Sequence, residues 1–266
     1  MTDSHDSAKF GRGDGPGGRV ADLASRAIAE LAARRQTQRP ALSEQLMEQF
    51  LAASRNPDED HLKTAVSDIL RNGIPRDEVV DLYIPEAARR LGDAWVDDSL
   101  GFAEVTIGGA RLQRLVRELT PRAREQSSAF GAQGSMLVVV REGEFHTLGA
   151  MLAANQLRRS GVSVRLMLCE PDWAVIEAIK EGRYLATLFS VGAAEKVAQF
   201  RDFVAQSKDA ARGRMLVGLG GAMGHMGDEA KGLTGADFVS SDAREALRQC
   251  GLKILSNGAE QRATSV

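Results

Sequence analysis

Short apolar runs alternate with helical segments from Met136 onward, and this alternation constrains the fold more than any other feature of the chain. The runs are Met136–Val140, Val162–Leu168, Leu185–Phe189, Met215–Leu219 and Asp237–Val239. A continuous apolar run is typical of a parallel strand that is covered on both faces. Five strand–helix rounds therefore predict an α/β domain, a Rossmann-like (flavodoxin-like) doubly wound five-stranded parallel sheet.

The preceding residues, 41–120, have helical periodicity and predict a small helical bundle. Asn56, followed by Pro57, predicts a helix start with Asn56 as the capping side chain. Pro85 predicts a kink or break within the next apolar stripe, and Phe102–Leu119 reads as the last helix.

These patterns divide the chain into four parts. Residues 1–40 are expected to be a flexible arm with one short amphipathic helix, and residues 41–120 the bundle. Residues 121–134 form a polar linker, and residues 135–260 the Rossmann-like domain.

Composition excludes several classes of protein. Lys+Arg 34 against Asp+Glu 36 gives a net charge of −2, which argues against a dominant basic surface for nucleic acid. Two cysteines cannot form a disulfide framework, and no apolar run approaches the roughly 20 residues that a membrane helix needs. A cytoplasmic protein with no membrane contact is the expectation.

The residues at the ends of the predicted strands carry the functional signal, because ligands of open parallel sheets bind beyond the carboxyl ends of the strands. The motif E-x-H-x-x-G follows the first strand, Ser190-Val191-Gly192 follows the third, and Gly220-Gly221 follows the fourth. The first motif contributes Glu144, His146, Thr147 and Gly149. An imidazole supported by a carboxylate can bind a metal, and glycines allow a large flat group to approach the backbone. His225, in the following glycine-rich stretch, is a second candidate ligand.

Together these motifs resemble the cobalamin-binding domain of corrinoid proteins, whose pattern is D-x-H-x-x-G, then S-x-L, then G-G. The resemblance implies that cobalamin binds with its lower base displaced, that His146 is the cobalt ligand, and that Glu144 holds His146. The nucleotide tail would run between Ser190 and the glycine pair. Two positions depart from the pattern: Glu144 replaces Asp, and Gly192 replaces Leu, which should loosen the packing of the tail slightly.

The predicted bundle resembles the cap that covers the upper face of the corrin in such proteins, with Trp95 in the matching helix. Light-sensing repressors of this type carry Glu-His at a fixed spacing after the tryptophan, where this chain has Val105-Thr106. An upper histidine ligand is therefore not expected at that place, and Trp95, Val105 and Thr106 are expected to line the cofactor.

This combination of domains resembles the AerR/PpaA-type antirepressors of photosynthesis genes. The resemblance implies a cobalamin-binding, light-responsive transcriptional regulator that binds hydroxocobalamin or adenosylcobalamin. Its partner would be a DNA-binding repressor of the CrtJ/PpsR type. The regulator itself would have no sequence-specific DNA binding and no enzymatic activity. Two alternatives remain open: a corrinoid methyl carrier of a methyltransferase system, and a sensor of haem or another tetrapyrrole on the same fold.

Overall fold

The structure is a computed structural model that describes residues 42–120, 134–192, 199–221 and 226–252. The chain divides into two compact units, Met1–Ser43 and Glu44–Val266, and all described helices and strands belong to the second. The predicted arm (1–40) and nearly all of the predicted linker (121–134) lie outside the described residues. Among the helices that are described, none is long and apolar enough to cross a membrane.

The helical part of the second unit consists of α1, α2, a single turn α3, a π-helical segment, α4 and α5. Their bounds are Glu44–Arg55 (α1), Glu59–Arg71 (α2), Arg76–Glu78 (α3), Val79–Tyr83 (π), Ile84–Val96 (α4) and Phe102–Leu119 (α5). The predicted cap at Asn56 is wrong by two residues. Asp58 is the N-cap of α2 and accepts from the backbone N–H of Asp60 at 3.0 Å. Asn56 instead lies two residues before the cap and accepts from the N–H of Asp58 at 2.9 Å.

Pro85 explains the π-helical segment. Proline has no N–H to donate within the helix, and its ring crowds the preceding turn. Here the N–H of Ile84 donates to the carbonyl of Val79, five residues back, so the chain widens by one residue just before the proline. The helical path continues through α4 without the predicted break, and the widened turn carries Asp81.

The remaining elements build a parallel sheet with helices on both faces. They are, in chain order, β1 (Ser135–Arg141), α6 (Thr147–Arg159), β2 (Ser163–Glu170), α7 (Asp172–Glu181), β3 (Ala186–Val191), α8 (Arg201–Ala211), β4 (Leu216–Gly221), α9 (Gly227–Thr234), β5 (Phe238–Val239) and α10 (Ala243–Gln249). The five strands are parallel in the order β2-β1-β3-β4-β5. This is the flavodoxin-like order, and the predicted fold class is confirmed. The sequence pattern also predicts a helix over Ala193–Ala205, of which residues 193–198 lie outside the described residues.

Successive side chains of a strand point to opposite faces of the sheet, so alternate residues pack into two separate hydrophobic cores. Val138 and Val140 of β1 pack with α6 and α10 on one face, and Leu137 and Val139 pack with α7, α8 and α9 on the other. Helices α6 and α7 therefore lie on opposite faces of the sheet.

The bundle contacts the sheet layer through α6. Helix α5 packs against α6, and Arg159, in the last turn of α6, pairs with Asp77 at 2.9 Å and with Asp81 of the π-helical segment. Gln156 donates to Asp81 at 3.1 Å. Because α6 starts directly after His146, one helix joins the candidate ligand to the bundle.

Candidate functional site

A tight turn after β1 directs Glu144 into the protein. The N–H of Glu144 donates to the carbonyl of Arg141 at 3.2 Å, and Gly143 between them has a φ of +77°, a conformation that favours glycine. Glu144 is consequently only 6% exposed, although it lies in a loop. Gly143 was not singled out in the sequence, but glycine directly after a buried strand is a recognisable signal for such a turn.

The carboxylate of Glu144 is held by backbone N–H groups from two strand ends. Its Oε1 accepts from the N–H of Phe145 at 2.9 Å and of His146 at 3.1 Å, and its Oε2 accepts from the N–H of Gly192 at 3.2 Å. Hydrogen bonds from backbone donors compensate a carboxylate for the loss of water on burial. The first motif and the end of β3 are therefore in direct contact.

His146 is oriented by this carboxylate. Its Nδ1 lies 2.6 Å from Oε1 of Glu144. Since an ionised carboxylate only accepts hydrogen bonds, Nδ1 is the donor in this contact, and in the neutral ring Nε2 then has a free lone pair. The His146 side chain is 72% exposed, so the ring that Glu144 holds remains open to a ligand. A carboxylate at the second ring nitrogen is the usual support of a metal-binding histidine.

Thr147 and Gly149 lie in the first turn of α6, beside His146. The N–H of Thr147 donates to the carbonyl of Phe145 at 2.9 Å, which fixes the step from loop to helix. A Cβ built on Gly149 meets no atom within 4 Å. The surface next to His146 is thus open, as the approach of a large flat cofactor requires.

Three of the other motif residues, Ser190, Gly220 and Gly221, lie in the strands themselves rather than after them, whereas Gly192 directly follows β3. Ser190 is paired with Gly220 across β3 and β4, and Val191 with Gly221. Gly221 has a φ of +83°, and a Cβ there would lie 2.6 Å from the carbonyl oxygen of Val191. A Cβ on Gly220 would lie 3.2 Å from the carbonyl oxygen of Ser240. The glycine pair is therefore needed by the protein's own backbone packing, beside any role in accommodating a cofactor.

The candidate residues of the cap lie on the bundle. Trp95 is near the end of α4 and is 52% exposed, and Val105 and Thr106 are near the start of α5. Within the residues that the structure describes, no side-chain hydrogen bond links these three residues to the His146 loop. Their role as cofactor contacts stays a prediction, and His225 lies outside the described residues.

Cys169 supports the site in a way that the sequence did not indicate. It is the extra residue of a bulge in β2, since Val140 pairs with Leu168 and Arg141 with Glu170. Its φ of 56° is unusual for a residue with a side chain. Its thiol donates to the carbonyl oxygen of Glu144 at 3.3 Å. A bulge cannot be read from an apolar run, because it depends on strand pairing.

The donor set fits a metal that brings its own ligands. In the ranges described by the structure, no cluster of three or more His, Cys, Asp or Glu residues could hold a metal ion. A single exposed imidazole suits a cobalt whose four equatorial positions are filled by a corrin. The residues that the structure describes therefore fit cobalamin, which the His146 imidazole would hold.

Comparison with known proteins agrees with this site. The model of the B12 binding domain family matches residues 134–250, a range that holds the three strand-end motifs. The monomethylamine corrinoid protein of Methanosarcina barkeri has a similar fold, with a TM-score of 0.63 at 16% identity over 77% of this chain and 96% of that chain.

A Rhodobacter capsulatus protein described as an uncharacterized 20.5 kDa protein in the bchF-crtJ intergenic region is a relative in sequence. It is 38% identical over 179 residues, which are 67% of this chain and 93% of that protein. Because this identity extends over nearly the whole relative and the B12-binding model matches the site-bearing domain, the chain belongs to the family of B12-binding-domain proteins that includes this relative.

Proposed function

We propose that this protein is a light-responsive, cobalamin-dependent transcriptional regulator of the antirepressor type. It would act by contact with a DNA-binding repressor of the CrtJ/PpsR type. The observation that carries the cobalamin part is the exposed ring of His146, fixed through Nδ1 by the buried Glu144. The regulatory part is supported by the location of the R. capsulatus relative between bchF and crtJ.

The residues of the site have separate tasks in this proposal. The N–H groups of Phe145, His146 and Gly192 hold the Glu144 carboxylate, which keeps the proton of His146 on Nδ1 and presents Nε2. Trp95, Val105 and Thr106 cover the opposite side of the cofactor. When bound, adenosylcobalamin would supply a cobalt–carbon bond that light can break. Regulation then requires that the repressor binds the dark and illuminated forms with different free energies.

The first test is the binding of hydroxocobalamin, and of adenosylcobalamin in the dark and after illumination, followed by visible spectroscopy. His146→Ala is expected to weaken binding by more than the 10–100-fold that loss of a supporting group typically costs, and to change the spectrum. His61→Ala is the matched control, because His61 lies on α2 in the bundle and pairs there with Asp58. Unchanged affinity and spectrum in His146→Ala would show that the ligand assignment is wrong.

The same spectra separate the alternative cofactor. Bound haem gives an intense Soret band, whereas a corrinoid gives weaker visible bands. If the protein binds haem in preference to hydroxocobalamin in a direct competition, haem rather than cobalamin is its ligand.

The regulatory part is tested by capture of a purified CrtJ/PpsR-type repressor with and without cobalamin, each in the dark and in light. Capture is expected to change with cofactor and illumination in the wild type and to stay constant in His146→Ala. Equal capture in all four conditions would contradict a switch. Transfer of methyl groups from the bound cofactor to a thiol or folate acceptor would instead favour the methyl carrier, whose fold the Methanosarcina protein shares.

A further inference from the structure

Gly192 occupies a place in which no side chain fits. A Cβ built on it would lie 2.5 Å from Nδ1 of His146, 2.7 Å from Oε1 of Glu144 and 2.9 Å from Cδ of Glu144. Real Cβ atoms do not approach other heavy atoms so closely. Its φ is not in the left-handed region, so space rather than backbone conformation requires glycine here.

The atoms that fill this space are those that orient the candidate cobalt ligand. The Glu144 side chain lies at the end of β3. Its Oε2 accepts a hydrogen bond from the N–H of Gly192 at 3.2 Å, and its Oε1 contacts Nδ1 of His146. Glutamate is one methylene longer than aspartate, and that extra length is accommodated where residue 192 lacks a side chain. The two positions at which this chain departs from the D-x-H and S-x-L patterns are therefore in direct contact.

We infer that Glu144 and Gly192 are a matched pair, and that Gly192 is a positioning residue for His146. The glycine admits the longer carboxylate and contributes one of its N–H donors. The consequence for cobalamin binding rests on the proposed function, whereas the geometry of the His146 ring can be measured without any cofactor.

The environment determines which group moves when a Cβ is introduced. Glu144 is buried and held by three N–H groups, so it yields only by breaking those hydrogen bonds. The exposed ring of His146 is the easier group to displace. Gly192→Ala should therefore push the imidazole away from Glu144, and the proton should no longer be confined to Nδ1. Shortening the acid with Glu144→Asp withdraws the carboxylate from the new methyl group, and the imidazole that the carboxylate holds should follow it away from residue 192.

A double-mutant cycle tests this inference on the protein without cofactor. The wild type, Gly192→Ala, Glu144→Asp and the double variant are compared by ¹⁵N NMR of the histidine rings, with the His146 signal assigned by its loss in His146→Ala. Gly192→Ala alone should change the signal from a fixed Nδ1–H tautomer to a mixture. In the Glu144→Asp background, the added methyl group should have almost no further effect. Gly232→Ala is the control, because a Cβ there meets no atom within 4 Å.

Hydroxocobalamin titrations of the same variants provide the second readout. Gly192→Ala should weaken binding about tenfold or more, as for other groups that support a metal ligand. The double variant should bind within about twofold of Glu144→Asp, the range expected when the added methyl group no longer clashes. Equal losses from Gly192→Ala in both backgrounds, or a wild-type imidazole signal in Gly192→Ala, would overturn the matched pair. A wild type that binds no corrinoid would instead contradict the proposed function, and the NMR cycle would still decide on the pair.

Discussion

His146 depends on a chain of contacts that starts in the backbone. Three N–H groups fix Glu144, and Glu144 fixes the ring. The last of these contacts was implied by the resemblance of the E-x-H motif to the D-x-H pattern of corrinoid proteins, and the structure shows it. The motif could not predict the contribution of Gly192, 48 residues away, since that contact exists only once β1 and β3 are neighbours in the sheet.

The two cysteines should differ strongly in reactivity. Cys169 is exposed, whereas burial raises the pKa of the Cys250 thiol to about 11. At pH 8 a thiol with that pKa is only about 0.1% thiolate, and the thiolate is the nucleophile. With a disulfide reagent at pH 8, we expect one fast equivalent from Cys169 and slow reaction of Cys250, and the Cys250 rate should rise as the pH approaches 11. Cys169→Ser should lose the fast phase and Cys250→Ser should keep it; a fast phase in Cys169→Ser would contradict this assignment.

At the scale of elements, helix α6 joins the two parts of the described structure. It begins next to His146, and its last turn places Arg159 against Asp77 and Asp81. The apolar runs predicted all five strands to within one or two residues, because a buried parallel strand is marked by composition alone. Pro85 predicted a kink or break in the helix. It did not predict that a π-helical segment would form there instead and place Asp81 beside Arg159. That outcome depends on packing between segments distant in sequence.

Removal of Arg159 should destabilise the protein measurably. Its side chain is 14% exposed, and Arg159→Ala would leave the partly buried Asp81 without its guanidinium partner. Loss of one member of a fully buried pair costs about 3–5 kcal/mol and of an exposed pair about 0–1 kcal/mol, so we expect about 1–3 kcal/mol here. Urea denaturation measures this change. Arg89→Ala is the matched control, since Arg89 forms exposed pairs within α4 and should lose less than about 1 kcal/mol. Equal losses in the two variants would mean that the Arg159 pairs do not stabilise the contact between bundle and sheet.

At the scale of the whole molecule, the structure combines a doubly wound sheet with a helical bundle that packs on α6. Strand–helix alternation indicated the number of strands and the fold class, and the strand-end motifs indicated the edge that carries the site. The packing of α5 on α6 was not readable from sequence, because each helix has an amphipathic pattern that fits many partners. The covering of a cofactor by this bundle stays a prediction.

The chain has two tryptophans, which allows that prediction to be tested with one label. Trp95 is 52% exposed on α4 of the bundle, and Trp173 is 72% exposed on α7, which packs on the face of the sheet opposite α6. Both indoles are thus open to water in the protein without cofactor. In 5-fluorotryptophan protein, assigned with Trp95→Phe and Trp173→Phe, each ¹⁹F resonance should shift between H₂O and D₂O. If the bundle covers the cofactor, hydroxocobalamin should move the Trp95 resonance and reduce its solvent isotope shift. The Trp173 resonance and its solvent isotope shift should not change. Bound cobalamin with an unchanged Trp95 resonance would exclude Trp95 from the cover and leave the upper side of the cofactor to other residues.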